Sequence, residues 1–89
     1  MVELVRVEEW AGADGAAVEN QYRVTVRLKD ELYGLVCLFY PDYDEVEVLD
    51  TLVLEGDEDL RDCLDEWVEC NEDALCAYVS TYAMYGFHP

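Results

Sequence analysis

Carboxylates are the residues of this chain with chemistry to offer: twenty-two of its 89 residues are Asp or Glu, against five Lys or Arg. Carboxylates act as acid–base pairs, as ligands for hard cations, or as a fixed negative surface for a basic partner. Acid–base catalysis needs one carboxyl set apart in an apolar setting that shifts its pKa. Here paired carboxylates are abundant, and none is set apart in that way. Asp42, Asp44 and Glu45, and again Asp57, Glu58 and Asp59, bring oxygens close together. Neither run has the spaced acids or the central Gly of a twelve-residue calcium loop, so no metal site is expected.

Nucleophilic chemistry has still less to work with. Ser80 and Thr81 fall in a helical pattern with no base nearby, and the one His is the penultimate residue, His88. Gly12 and Gly15 lack the following Lys-Ser/Thr of a phosphate loop. Cys37, Cys63, Cys70 and Cys76 show no CxxC spacing, which argues against structural zinc. They read as reduced, buried thiols, with Cys37 in an apolar strand and Cys63 on the apolar side of a helix. The chain is expected to be no enzyme and to use no cofactor. What remains is the negative surface.

That surface is unevenly distributed. Residues 1–29 hold five acids and four bases, Arg6, Arg23, Arg27 and Lys29, and nearly cancel. Residues 30–89 hold seventeen acids and only Arg61, a formal charge of −16. Solubility of a small domain needs only about 2 to 8 charges, and self-repulsion on this scale destabilises a compact state. A strongly basic partner, a nucleic-acid-binding surface or a very salty cytoplasm would account for the excess.

Two zones concentrate it. In residues 57–69, Glu58, Asp59, Asp62, Asp65, Glu66 and Glu69 follow Asp57 and occupy most positions left free by an apolar stripe. Twelve helical steps span about 18 Å, so seven acids less Arg61 give one net charge about every 3 Å, close to the ≈ 3.4 Å of a single nucleic-acid strand. Arg61 is spaced to pair with Glu58 or Asp65. The second zone comprises Asp42, Asp44, Glu45, Glu47 and Asp50. Glu45 and Glu47 share one strand face about 7 Å apart, similar to neighbouring phosphates, and Tyr40 and Tyr43 flank them as candidate anchors. The partner-binding residues expected are therefore Glu58, Asp59, Asp62, Asp65, Glu66, Glu69, Asp42, Asp44, Glu45 and Glu47.

The elements that must hold these acids are readable from periodicity. Apolar residues make up 53% of the chain, so it has the means to bury a core and is not a disordered acidic tail. A strand is expected over residues 2–10, with Val5 and Val7 on one face and Arg6 and Glu8 on the other. A small-residue loop follows at residues 11–16. Residues 22–29 alternate without a fault, with Arg23, Arg27 and Lys29 on the wet face. Residues 32–40 are apolar on both faces and therefore central. A turn at residues 41–44 leads into a fourth strand reaching Leu54. The period then changes. Leu60, Cys63, Leu64, Trp67 and Val68 trace a helical stripe N-capped by Asp57. Asn71 is expected to end that helix and cap a second, with Glu72 and Asp73 in its first turn, Leu75, Tyr78, Val79 and Tyr82 as its stripe and Gly86 as its stop. The expected fold is α+β: one domain, strand-rich over 1–55 and helical over 57–86, with an antiparallel four-stranded sheet followed by two amphipathic helices on one face.

The opening residues, Met1-Val2-Glu3-Leu4-Val5-Arg6, reach charge at once, and the longest apolar run is 35–40. Neither a secretory leader nor a membrane helix is expected, and the expected location is the cytoplasm. In charge profile, size and layout the chain resembles small phage-encoded inhibitors that imitate DNA, the anti-CRISPR proteins foremost. The resemblance rests on no motif. It implies a monomer in the host bacterial cytoplasm that occupies the basic DNA-binding groove of a protein or ribonucleoprotein complex, a CRISPR effector, and blocks DNA without binding nucleic acid or membrane itself. Two alternatives share the physics: an immunity protein neutralising a nuclease toxin, and a salt-adapted domain. Seven Tyr, two Trp and four Cys are more bulky and thiol side chains than salt adaptation calls for.

Overall fold

The computed structural model describes residues 2–10 and 20–86; the expected loop at 11–16 and His88 lie outside them. Four strands, β1 (Val2–Glu9), β2 (Gln21–Leu28), β3 (Glu31–Tyr40) and β4 (Glu45–Glu55), form an antiparallel sheet in the order β1-β2-β3-β4. A 3-10 turn (Glu58–Leu60) leads into α1 (Arg61–Cys70), and α2 (Glu72–Tyr85) follows. The α+β arrangement matches the sequence reading. The β2–β3 hairpin closes through Lys29 and Asp30, both at positive φ, as a two-residue turn that follows the strand twist.

One core joins the sheet to the helices. Tyr22, Val24, Val26 and Leu28 of β2 and Tyr33, Leu35, Cys37 and Phe39 of β3 are buried with Leu64 and Val68 of α1 and Leu75, Tyr78 and Val79 of α2. Tyr22 meets Tyr82 edge to face at 5.9 Å, a favourable aromatic geometry that fixes α2 against the sheet. β3 is central and buried along most of its length, because neighbours flank it on both sides.

Bulges change which residues face that core. The β1–β2 register slips between Leu4 and Arg6, leaving Val5 as the extra residue. Val2 and Leu4 pack against the core with Val7, whereas Val5 does not, so the expected pairing of Val5 with Val7 is corrected. In β4 the slip beside Val36 and Cys37 leaves Leu49 extra. Val46 and Val48 face the core before it, Thr51 is buried after it, and Asp50 is turned outward. An extra residue reverses strand parity, which strict alternation does not foresee.

The helix that was expected to begin at Asp57 begins instead as the 3-10 turn. The Asp57 side chain accepts from Asp59 N, so the residue caps as expected, but the α-helical ladder starts only at Arg61. Gly56 is held close by design of the core: a Cβ there would come within 2.5 Å of the buried Tyr33 ring. The Tyr33 hydroxyl lies 3.0 Å from both the carbonyl and the N–H of Asp57, which pins the strand-to-helix junction. Asn71 stands as the residue between the two helices, as expected, but its side chain serves only the first. Its side-chain amide donates to the Trp67 carbonyl (2.9 Å), satisfying the end of α1, and makes no capping bond to α2. Gly86 stops α2 as expected, with φ 74° and its N–H on the Tyr82 carbonyl at 2.7 Å.

Candidate protein-binding surface

Charge is polarised across the sheet. On β1 and β2 acids and bases neutralise one another: Arg27 pairs with Glu3 (3.3 Å), and Arg6 (3.6 Å) and Arg23 converge on Glu8. Arg23 also lies 4.9 Å over the Trp10 ring, a cation–π contact that holds its guanidinium down on the sheet. Beyond β3 the balance disappears. Every acid from Asp42 to Asp73 is exposed, and Arg61 is the one base on that side among the described residues.

The expected contact acids fall on four successive segments. Asp42 and Asp44 lie in the turn before β4, and Glu45 and Glu47 lie on β4 with their side chains outward. Glu58 and Asp59 lie on the 3-10 turn, and Asp62, Asp65, Glu66 and Glu69 lie on α1. Arg61 pairs with Glu58 at 3.7 Å, one of the two expected partners, but not with Asp65. It reaches across to Asp50 of β4 at 3.2 Å, while Asp65 accepts from the Thr51 hydroxyl at 2.9 Å. Both contacts tie α1 to β4 and bring the two acidic zones together.

They meet around an open groove of about 520 Å³, walled by residues 46–51 on one side and by Arg61, Asp65, Val68, Glu69, Glu72 and Leu75 on the other. Its lining mixes apolar side chains of β4 and the helices with Glu47, Asp50, Asp65, Glu69, Glu72 and Arg61. A second depression of about 540 Å³ joins Asp44 and Glu45 to Glu72 and Asp73. Asp42, Glu58, Asp59, Asp62 and Glu66 are exposed but line neither. Glu72 and Asp73 were missing from the expected contact set because their place in the first turn of α2 already explained them electrostatically. Their continuation of the acid spacing of α1 past Asn71 was the available signal.

The flanking tyrosines divide. Tyr43 is 76% exposed, whereas Tyr40 is at the margin of exposure and its hydroxyl donates to Glu47 (3.1 Å). That bond, with burial and the charges of Glu47 and Glu45, pushes the Tyr40 phenol up from its ordinary 10.0. Of the cysteines, only Cys37 is buried; Cys63 and Cys70 are exposed, correcting the uniform reading. Cys63 is on the outer side of α1 because the core-facing side is filled by Leu64 and Val68. Burial pushes the Cys37 thiol up to about 12. Ser80 and Thr81 both donate back to the Ala77 carbonyl within α2, at 3.2 and 2.8 Å. Among the described residues no helix is long and apolar enough to cross a membrane. No family model, curated protein or solved structure matches this chain.

Proposed function

We propose that this protein is a DNA mimic that binds the basic nucleic-acid-binding surface of a bacterial defence complex, in the manner of an anti-CRISPR inhibitor, and excludes DNA from it. The observation that supports this reading is the exposed, almost uncompensated run of acids over β4, the 3-10 turn, α1 and the start of α2. Fixed carboxylates on a folded scaffold present phosphate-like charge without the flexibility of a disordered acidic tail. They cost little ordering entropy when a cationic groove closes on them. Such binding releases the counterions of both surfaces, as nucleic-acid binding does, so affinity falls steeply with salt. Action in the cytoplasm, where such complexes reside, belongs to the same proposal.

The test is capture of the partner from bacterial lysate at low salt, followed by competition with target DNA. Free DNA should show no affinity for the protein, since both are polyanions. Protein added first should exclude DNA from the captured complex, and reversing Asp62, Glu66 and Glu69 to Lys, which spares the Asp65 bond to Thr51, should abolish that exclusion while leaving the fold intact. Direct binding to DNA, or full exclusion by the triple variant, overturns the reading.

A further inference from the structure

The groove between β4 and the helices has a property that a charged surface alone would not have: one of its walls is a strand edge. β4 is the last strand of the sheet, so among the described residues its backbone pairs on one side only, with β3. Six consecutive residues, 46–51, line the groove. Val46, Val48 and Thr51 face the core while Glu47 and Asp50 are exposed, with the bulged Leu49 between, so a groove that touches all six follows the backbone edge and not either face of the sheet.

The open stretch has defined ends. Before β4, the Asp44 carbonyl accepts from the Cys76 thiol of α2 at 3.0 Å. At the far end, the Thr51 N–H donates to the Asp50 carboxylate at 2.8 Å. Between these ties lies the run 45–50, opposed by Glu69 and Glu72, which have no hydrogen-bond or ion-pair partner among the described residues. An unpaired edge is a template for another strand. Here its occupant is selected by charge. A second copy of this chain would set Glu45 and Glu47 against their like, and like charges directly opposite are destabilising. A strand bearing alternate Arg or Lys meets Glu45 and Glu47 with its bases and places its intervening apolar side chains beside the half-buried Val46 and Val48.

We infer that the β4 edge and its groove accept a short, extended, basic segment of the partner protein by strand addition. This rests on the reading of a basic partner and adds to it a backbone-directed contact that DNA itself does not make.

A short synthetic peptide alternating arginine and valine tests it, with spermine and an otherwise identical peptide N-methylated at alternate residues as controls. Binding is followed by amide NMR and hydrogen exchange at low salt. The expected result is slowed exchange of alternate amides in residues 45–48, before the bulge at Leu49, and affinity at least about tenfold lower for the N-methylated peptide. The variant Glu45→Lys with Glu47→Lys, the acids that the bases of an added strand would face, should lose peptide binding by at least about tenfold, whereas Asp62→Lys with Glu66→Lys, equal in charge but outside the groove, should lose less than about threefold. Melting curves of both variants check that the fold persists. Equal loss in the two variants, equal affinity for spermine, or dimerisation of the protein through β4 overturns strand addition. Each of those outcomes leaves the polyanion reading standing, because that reading is decided separately by competition with DNA.

Discussion

Cys37 makes the core of this protein sensitive to alkali in a way that one substitution should remove. The thiol is fully buried at the centre of β3, and burial raises it from an ordinary 9.0 to about 12. Desolvation is the cause: the thiolate would lose its hydration without gaining a partner. The sign follows from proton counts. Between about pH 9 and 12 the unfolded chain has released this proton and the native chain retains it, so stability falls as pH rises. The slope is one proton, about 1.4 kcal/mol per pH unit, and three units amount to about 4 kcal/mol. Burial also raises Tyr22, Tyr33 and Tyr78, which adds to the same alkaline loss and is common to parent and variant. Cys37→Ala should begin less stable near pH 8, by about 1 kcal/mol for the lost packing, and should lose stability more slowly above pH 9. The two curves should therefore converge and cross. Denaturant unfolding at a series of pH values measures this directly. Parallel curves from pH 8 to 11 would refute the reasoning, and so would rapid reaction of Cys37 with a thiol reagent in the native protein.

Other substitutions probe the scaffold. Gly56→Ala should cost about 1 to 3 kcal/mol, because its new Cβ would overlap the Tyr33 ring and force either the ring or the 3-10 turn to move; an unchanged denaturation midpoint would contradict the packing at this junction. Leu64→Ala should cost about 3 kcal/mol, as Leu64 has no exposed surface, and should lower Tm by more than about 10 °C. Trp67 packs only partly buried against the core, so Trp67→Ala should cost less than Leu64→Ala; the reverse order in paired melts would place Trp67 deeper than described. Added NaCl should raise Tm by screening the acidic side and should level off well below molar salt, where the Debye length is already about 3 Å. A Tm that keeps climbing to molar salt, with unfolding at low salt, would favour salt adaptation over partner binding.

Period and composition carried most of the architecture. Faultless alternation around Val24 and Val26, and the three-and-four spacing of Leu60, Leu64, Trp67 and Val68, are local signals, and a local backbone preference suffices to realise them. Gly86 and Asp57 were legible for the same reason: a left-handed stop and a side-chain cap depend on near neighbours in the chain. The charge excess was legible too, because acids without counter-charges go to the surface in any fold that buries the apolar stripes.

What the sequence left open are features that depend on distant pairings. Nothing around Leu49 announces a bulge, yet that extra residue turns Asp50 outward and buries Thr51. Only then does Asp50 meet Arg61 and Thr51 meet Asp65, and only then do the acids of β4 and α1 share one groove. Spacing along the helix offered Arg61 two partners on its own element. Packing of α1 beside β4 added a third from that neighbouring strand, eleven residues away in the chain. Sequence determined how much charge this protein carries and which elements bear it. Tertiary structure decided which carboxylates face one another, because that is set by strand register and helix placement, and neither is a property of any single segment.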